Sequence, residues 1–324
     1  MAIVNADLAT ARAEAVLEAS RRIIEDACQS DWHRSKLRPL LAVGARQVGE
    51  SPLMPAVQLP LLAHESVRPL DERALELAGI CLLSYLAIDA FDNVADREVP
   101  PEWDGMSASD VLLSASSIFA GLVYKRLAEL RAWDATAEVA RALWEMSYGQ
   151  FLDMTPWQSD EPERPSLRER YLQMAQLKAG RQFELYAALG ATGAGADEGN
   201  LSLIREFALN LGIAGQLTSD CADFFLPAGG KDIENGKLTL PIALLSEAGG
   251  GDVASALQDI ERHIDDLRAE ARRRGILTLC FGVIACYRAR ARSALDSLTL
   301  PAPSRDVAHS MLDFLAARSL FGGA

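Results

Sequence analysis

ALELAGICLLSYLAIDAFDNVAD, residues 74–96, carries apolar side chains around most of a helical circumference and then closes on three aspartates, Asp89, Asp92 and Asp96. A surface helix keeps a polar face, and a helix without one must be covered on all sides, so this segment predicts the central helix of an all-α bundle. The spacing of three and then four residues puts the three carboxylates on one side of that helix. There they repel one another, and they sit near a helix C-terminus, where the dipole favours cations. The arrangement calls for a positive partner that the stretch itself does not supply.

A second segment repeats the pattern. GIAGQLTSDCADFF, residues 212–225, ends an apolar helix with Asp220 and Asp223, three apart on one face. Two central helices that end in acid can face each other across an apolar cavity. Helical periodicity runs through nearly all of the remaining chain, and β-branched alternation is almost absent. Helices are expected near 6–28, 35–49, 71–95, 107–132, 135–154, 167–192, 199–225, 238–247, 253–273, 276–297 and 304–319. The breaks, among them REVPPEWDG and GATGAGADEGN, are rich in Gly, Pro and capping residues. None is long enough to link domains, so one helical domain over 1–324 is expected.

Charge and cysteine usage narrow the class. With 32 basic against 45 acidic residues the net charge is −13, which repels nucleic acid and anionic membranes. The five cysteines are odd in number and lack paired spacing, as in a reduced, cytoplasmic protein. Acidic residues occupy the N-terminal stretch where a signal peptide would be basic and then apolar. Charge interrupts the apolar runs before the roughly 20 residues a membrane span needs, so no span is expected.

Carboxylates gathered without histidine or cysteine are hard oxygen ligands, suited to Mg²⁺ or Mn²⁺ and not to zinc. Mg²⁺ binds through one or two carboxylates and completes its shell with substrate phosphates. It is thus the missing positive partner, although a solvated helix end has the same spacing. Downstream, GGKDIENGKLTLP, residues 229–241, puts Lys231 and Lys237 in or beside a glycine-containing loop. Lysines there can close over a diphosphate as compact point charges.

These motifs, in this order, resemble the trans-isoprenyl diphosphate synthases, or polyprenyl synthetases. KLRPLL (36–41) is similar to their early KRLRP segment, DNVAD (92–96) to DDxxD, and GQFLDM (149–154) to GQxxDL. YLQMAQLKAG (171–180) resembles the segment with the KT lysine, GIAGQLTSDCADFF the second aspartate-rich region, and GKDIENGKLTLP the closing-loop motif. The resemblance implies the class I isoprenoid synthase bundle, a homodimer, and about three Mg²⁺ ions on an allylic diphosphate. It implies metal ligation by Asp92, Asp96 and Asp220, with Asp223 as a direct or outer ligand, and Asp89 is expected as a further metal ligand on the same helix face. It likewise implies substrate contacts from Lys178, Lys231, Lys237, Arg38 and Gln216, with Asp92, Asp96, Asp220 and Lys178 catalytic.

The departures cluster in one half of the implied site. Ser35 and Lys36 stand where the family has lysine and arginine, Tyr85 replaces a histidine, and the arginine pair after the first acidic motif is reduced to Arg97. In ordinary members these groups hold the diphosphate of the second substrate, isopentenyl diphosphate. Their loss points to prenyl transfer onto an acceptor without a diphosphate, such as an indole or another aromatic. Terpene cyclisation, a non-catalytic subunit and conventional chain elongation are the alternatives. In the metal half, Asn93 and Ser219 replace aspartates and Ala179 a threonine. The prenyl tail is expected to run past Tyr85, Ala87 and Ile88, since one helical turn of 5.4 Å is about one isoprene unit, which favours a chain of about 15 or 20 carbons.

Overall fold

The computed structural model describes residues 5–155, 166–226, 237–249 and 260–317. Helices are the regular elements there, with no strand among the described residues. In chain order they are α1 (Ala6–Ala27), α2 (Asp31–Glu50), α3 (Pro55–Glu65), α4 (Glu72–Ala95), α5 (Ala108–Glu129) and α6 (Trp133–Met154). The rod α7 joins Leu167–Ala175 to Arg181–Ala194 through a π-helical turn, Gln176–Gly180. Then come α8 (Glu198–Phe225), α9 (Leu240–Glu247), α10 (Ile260–Arg273), α11 (Ile276–Ser297) and α12 (Ala302–Ala317).

Capping residues set several of these boundaries. Asp71 accepts from the Ala74 amide to start α4, Asp197 from Asn200 to start α8, and Ser107 and Ser166 form reciprocal capping boxes with Asp110 and Glu169. The α7–α8 connection turns at Gly195, whose φ of 80° is left-handed. Helix α2 begins at Asp31, earlier than expected, because Ser30 caps the His33 amide.

Helix α4 is central as its sequence demands: Leu77 through Ser84 are buried without a break. It packs against α1, α3, α5 and α7, while α8 packs against α7 and α11. By length and composition alone α4 and α5 could cross a membrane, with mean hydropathies of 1.7 and 1.3, contrary to the expected interruption by charge. In the bundle, 67% of the apolar window of α4 and 44% of that of α5 are buried. The charges of α4 fall mainly at its two ends.

Helix α3 was not anticipated. Every residue from Ala56 to His64 is buried, so it has no amphipathic period to read, and Pro60 lies inside it. It lies directly against Gly190 of α7, where an added Cβ would fall on the Pro60 carbonyl and 2.7 Å from its Cα. Gly190→Ala therefore forces two helices apart. We expect a loss of about 2–3 kcal/mol, read as a lower urea midpoint at unchanged m-value.

Candidate active site

The ends of α4 and α8 face one polar cleft of about 110 Å³, lined by Asp92, Asp96, Asp153, Lys178, Gln216, Asp220, Lys237, Leu238 and Thr239. The two acidic segments, more than a hundred residues apart, thus meet across a cavity. Four carboxylates and two ammonium groups line it, so the described lining is short of positive charge.

The lysines are held by the carboxylates. Lys178 Nζ lies 3.1 Å from Asp92 and 2.8 Å from Asp153, and Lys237 Nζ lies 2.7 Å from Asp96 and 3.6 Å from Asp153. Asp153, its side chain 7% exposed, is the bridge between them. Burial disfavours the Lys178 charge, but Asp153 and Asp92 outweigh it and hold its pKa above the usual lysine value. Burial raises the Asp96 pKa against the opposing pull of Lys237. Across the cleft, the Tyr171 hydroxyl and Gln216 Nε2 each donate to Asp220 at 2.7 Å. Burial and the Asp220 charge keep that phenol protonated.

Local structure explains how Lys178 arrives. It sits in the π-helical turn of α7, a widened turn found often at functional sites. Gly149 of α6 makes the approach possible, since a Cβ there would stand 2.8 Å from the Lys178 amide nitrogen. One and four residues on, Gln150 donates to Asp92 at 2.7 Å and Asp153 meets Lys178. The roles of Gln150 and Asp153 were missed from sequence, although their i, i+3 spacing beside a glycine was a signal.

A second, apolar cavity of about 360 Å³ opens from the same point. Its walls come from Tyr85, Ile88, Asp89, Phe91, Asp92 and Ala95 of α4, Leu143, Met146, Ser147, Gln150, Phe151 and Met154 of α6, and Lys178 and Gln182 of α7. Asp92 and Lys178 line both chambers. A diphosphate in the polar cleft could extend its tail into the apolar one.

Four expected site residues, Ala87, Asp89, Asp223 and Arg38, lie away from their expected surroundings. Ala87 is 0% exposed and packs in the core, not on the cavity wall, because one residue turns a helix by about 100° away from Ile88. Asp89 lies on the apolar wall and is outside the polar cleft; Tyr85, Gln47 and Asn93 donate to it, at 3.3, 3.4 and 3.1 Å. Asp223 is half-buried and is not among the cleft-lining residues. Arg38 is exposed on α2 and reaches neither chamber, Ser35 is exposed, and Lys36 stands 3.4 Å from Asp110. Lys231 lies outside the described residues.

Among the described residues no three His, Cys, Asp or Glu converge as a closed metal cage. The carboxylates instead ring the cleft. An oxygen-only donor set spread in this way fits Mg²⁺ ions that complete their shells with phosphate oxygens, and does not fit zinc.

The sequence model of the polyprenyl synthetase family matches residues 106–271, about half of the chain, a stretch that contains Asp153, Lys178 and Asp220. The geranylfarnesyl diphosphate synthase of Aeropyrum pernix is 25% identical over 273 residues, covering 76% of this chain and 84% of that one. Among solved structures, the polyprenyl synthase from Caulobacter crescentus CB15, complexed with calcium and isoprenyl diphosphate, superposes with a TM-score of 0.78 at 24% identity over 97% of this chain and 98% of that one. The decaprenyl diphosphate synthase from Rhodobacter capsulatus gives 0.81 at 20% identity over 97% and 99%.

Proposed function

The chain belongs to the polyprenyl synthetase family and is on that ground a prenyltransferase, and from this premise we propose that it ionises an allylic isoprenyl diphosphate with Mg²⁺ and passes the prenyl group to an acceptor that carries no diphosphate, such as an indole or another aromatic. One observation carries the choice of acceptor. Lys178 and Lys237 are the only cations among the described residues lining the two chambers, and both stand at the acidic cleft. A second diphosphate without donors of its own would pay a large desolvation penalty.

In this reading Asp92, Asp96 and Asp220 would hold the metal, and Lys178, Lys237 and Lys231 would contact the diphosphate. Bound Mg²⁺ would neutralise the charge growing on the leaving group. Asp153 keeps both lysines at the cleft before the substrate arrives, and Tyr171 and Gln216 orient Asp220 by donating to it. The apolar chamber shields the allylic cation from water. Joint retention of these groups speaks against a non-catalytic subunit.

Conventional chain elongation is favoured by the names of the relatives, which make geranylfarnesyl and decaprenyl diphosphates. One experiment decides: the protein with Mg²⁺ and geranyl, farnesyl or geranylgeranyl diphosphate, each alone, with isopentenyl diphosphate, or with an aromatic acceptor, followed by product mass analysis. Products formed only with isopentenyl diphosphate would overturn the proposal, and a hydrocarbon from the allylic substrate alone would select cyclisation.

Tail length of about 15 or 20 carbons belongs to the same proposal. Phe91→Ala should shift preference towards longer allylic diphosphates, because the lost ring opens the cavity wall. Ala87→Phe should instead overpack the core, at about 1–3 kcal/mol, without a change in length preference. Competition between farnesyl and geranylgeranyl diphosphate reads both variants. We further propose a homodimer, supported by Trp144 and Tyr148, which are 79% and 50% exposed on successive turns of α6. Analytical ultracentrifugation tests it.

A further inference from the structure

The apolar chamber contains a charge that the diphosphate end does not use. Asp89 is on its wall, and its hydrogen-bond donors, Tyr85, Gln47 and Asn93, are all neutral. Among the described residues no lysine, arginine or histidine pairs with it. A carboxylate removed from water without a cation is costly to keep. It also has about four acceptor positions, and Oδ1 receives one bond, from Tyr85. Behind it on α2, Gln47 Oε1 is buried without a hydrogen-bond partner. The wall therefore presents a carboxylate with acceptor positions to spare. Across the same chamber, Phe151, Met146 and Met154 offer aromatic and thioether surface, which suits a flat ring.

We propose that this wall recognises the acceptor as a neutral, electron-rich aromatic ring bearing an N–H, and that this hydrogen is donated to the Asp89 carboxylate. The inference rests on the transfer reading above. In the step, the allylic C–O bond breaks and its electron pair leaves with pyrophosphate. A π pair of the ring forms the new C–C bond, and the positive charge passes to the ring nitrogen, whose N–H bond to Asp89 strengthens as it does so. The proton then lost from the alkylated ring carbon goes to pyrophosphate, which restores aromaticity.

The test incubates the full chain with Mg²⁺, farnesyl or geranylgeranyl diphosphate, and either indole or N-methylindole, and reads the ratio of prenylated ring to prenyl alcohol. We expect N-methylindole to lower that ratio at least about tenfold in the unaltered protein, as loss of a hydrogen bond to a charged group does. Asp89→Leu should lower the ratio for indole by a similar factor and bring the two acceptors within about twofold of each other. Equal ratios for the two acceptors in the unaltered protein, or an N–H preference that survives in Asp89→Leu, overturn the assignment, as does prenyl alcohol without prenylated indole. The underlying reading fails differently: no Mg²⁺-dependent pyrophosphate release, or product only with isopentenyl diphosphate. The N-methylindole arm needs no variant, so it stands even if Asp89→Leu does not fold.

Discussion

Asp92→Asn is expected to slow release of pyrophosphate from an allylic diphosphate by roughly a thousandfold, the equivalent of about 4 kcal/mol of charge stabilisation. Asp92 is where the two chambers join, and it faces Lys178 and Gln150. Its amide analogue keeps the shape but cannot hold a divalent cation against the leaving group. Asp220→Asn should act as strongly from the other side, because Asp220 is 2% exposed and lines the polar cleft opposite Asp92 and Asp96. Stability should not fall with activity. Burial raises the pKa of both Asp89 and Asp96, repulsion from Asp92 adds to it, and Lys178 retains Asp153 when Asp92 is neutralised. An unchanged or higher melting temperature beside the lost rate, measured on one sample, would mark a group kept for chemistry at the expense of the fold. Pyrophosphate release that continues unchanged with chelator present would sink the metal assignment.

Glu184→Ala is expected to remove about 2–4 kcal/mol of folding stability. Glu184 of α7 has a side chain 5% exposed and pairs with Arg181, with Arg141 at 3.3 Å and with Arg205 at 3.8 Å. Arg141 and Arg205 also bind Glu138, and Arg141 and Arg181 reach Glu145, so three arginines and three glutamates tie α6, α7 and α8 together. Loss of the most buried anion leaves three arginines sharing the two remaining glutamates, Glu138 and Glu145. The arginines are themselves 22–37% exposed, which screens part of the cost and sets the range below that of a fully buried pair. Glu184→Gln, which keeps a hydrogen-bond acceptor, should lose less. Urea denaturation gives both values, and a midpoint for Glu184→Ala equal to that of the unaltered protein would show the network to be ornamental.

Much of this protein can be read without coordinates, and the reason is local. Burial all round α4 and α8, the capping signals at Asp71, Ser107, Ser166 and Asp197, and two acidic clusters at helix ends are properties of short stretches of chain, because a helix satisfies its backbone within four residues. The all-helical class, the central pair and the meeting of Asp92, Asp96 and Asp220 follow from them. Tertiary structure alone decided the rest. Helix α3 has no polar face to give it a period, and only its neighbours reveal it. Lys237 reaches Asp96 across 141 positions, and Lys178 reaches Asp92 through a π-helical turn that no spacing rule anticipates. Ala87 and Asp89 were assigned to the wrong surroundings for one physical reason: each residue turns a helix by about 100°, and the packing of α2, α6 and α7 around α4 sets which face looks into which chamber.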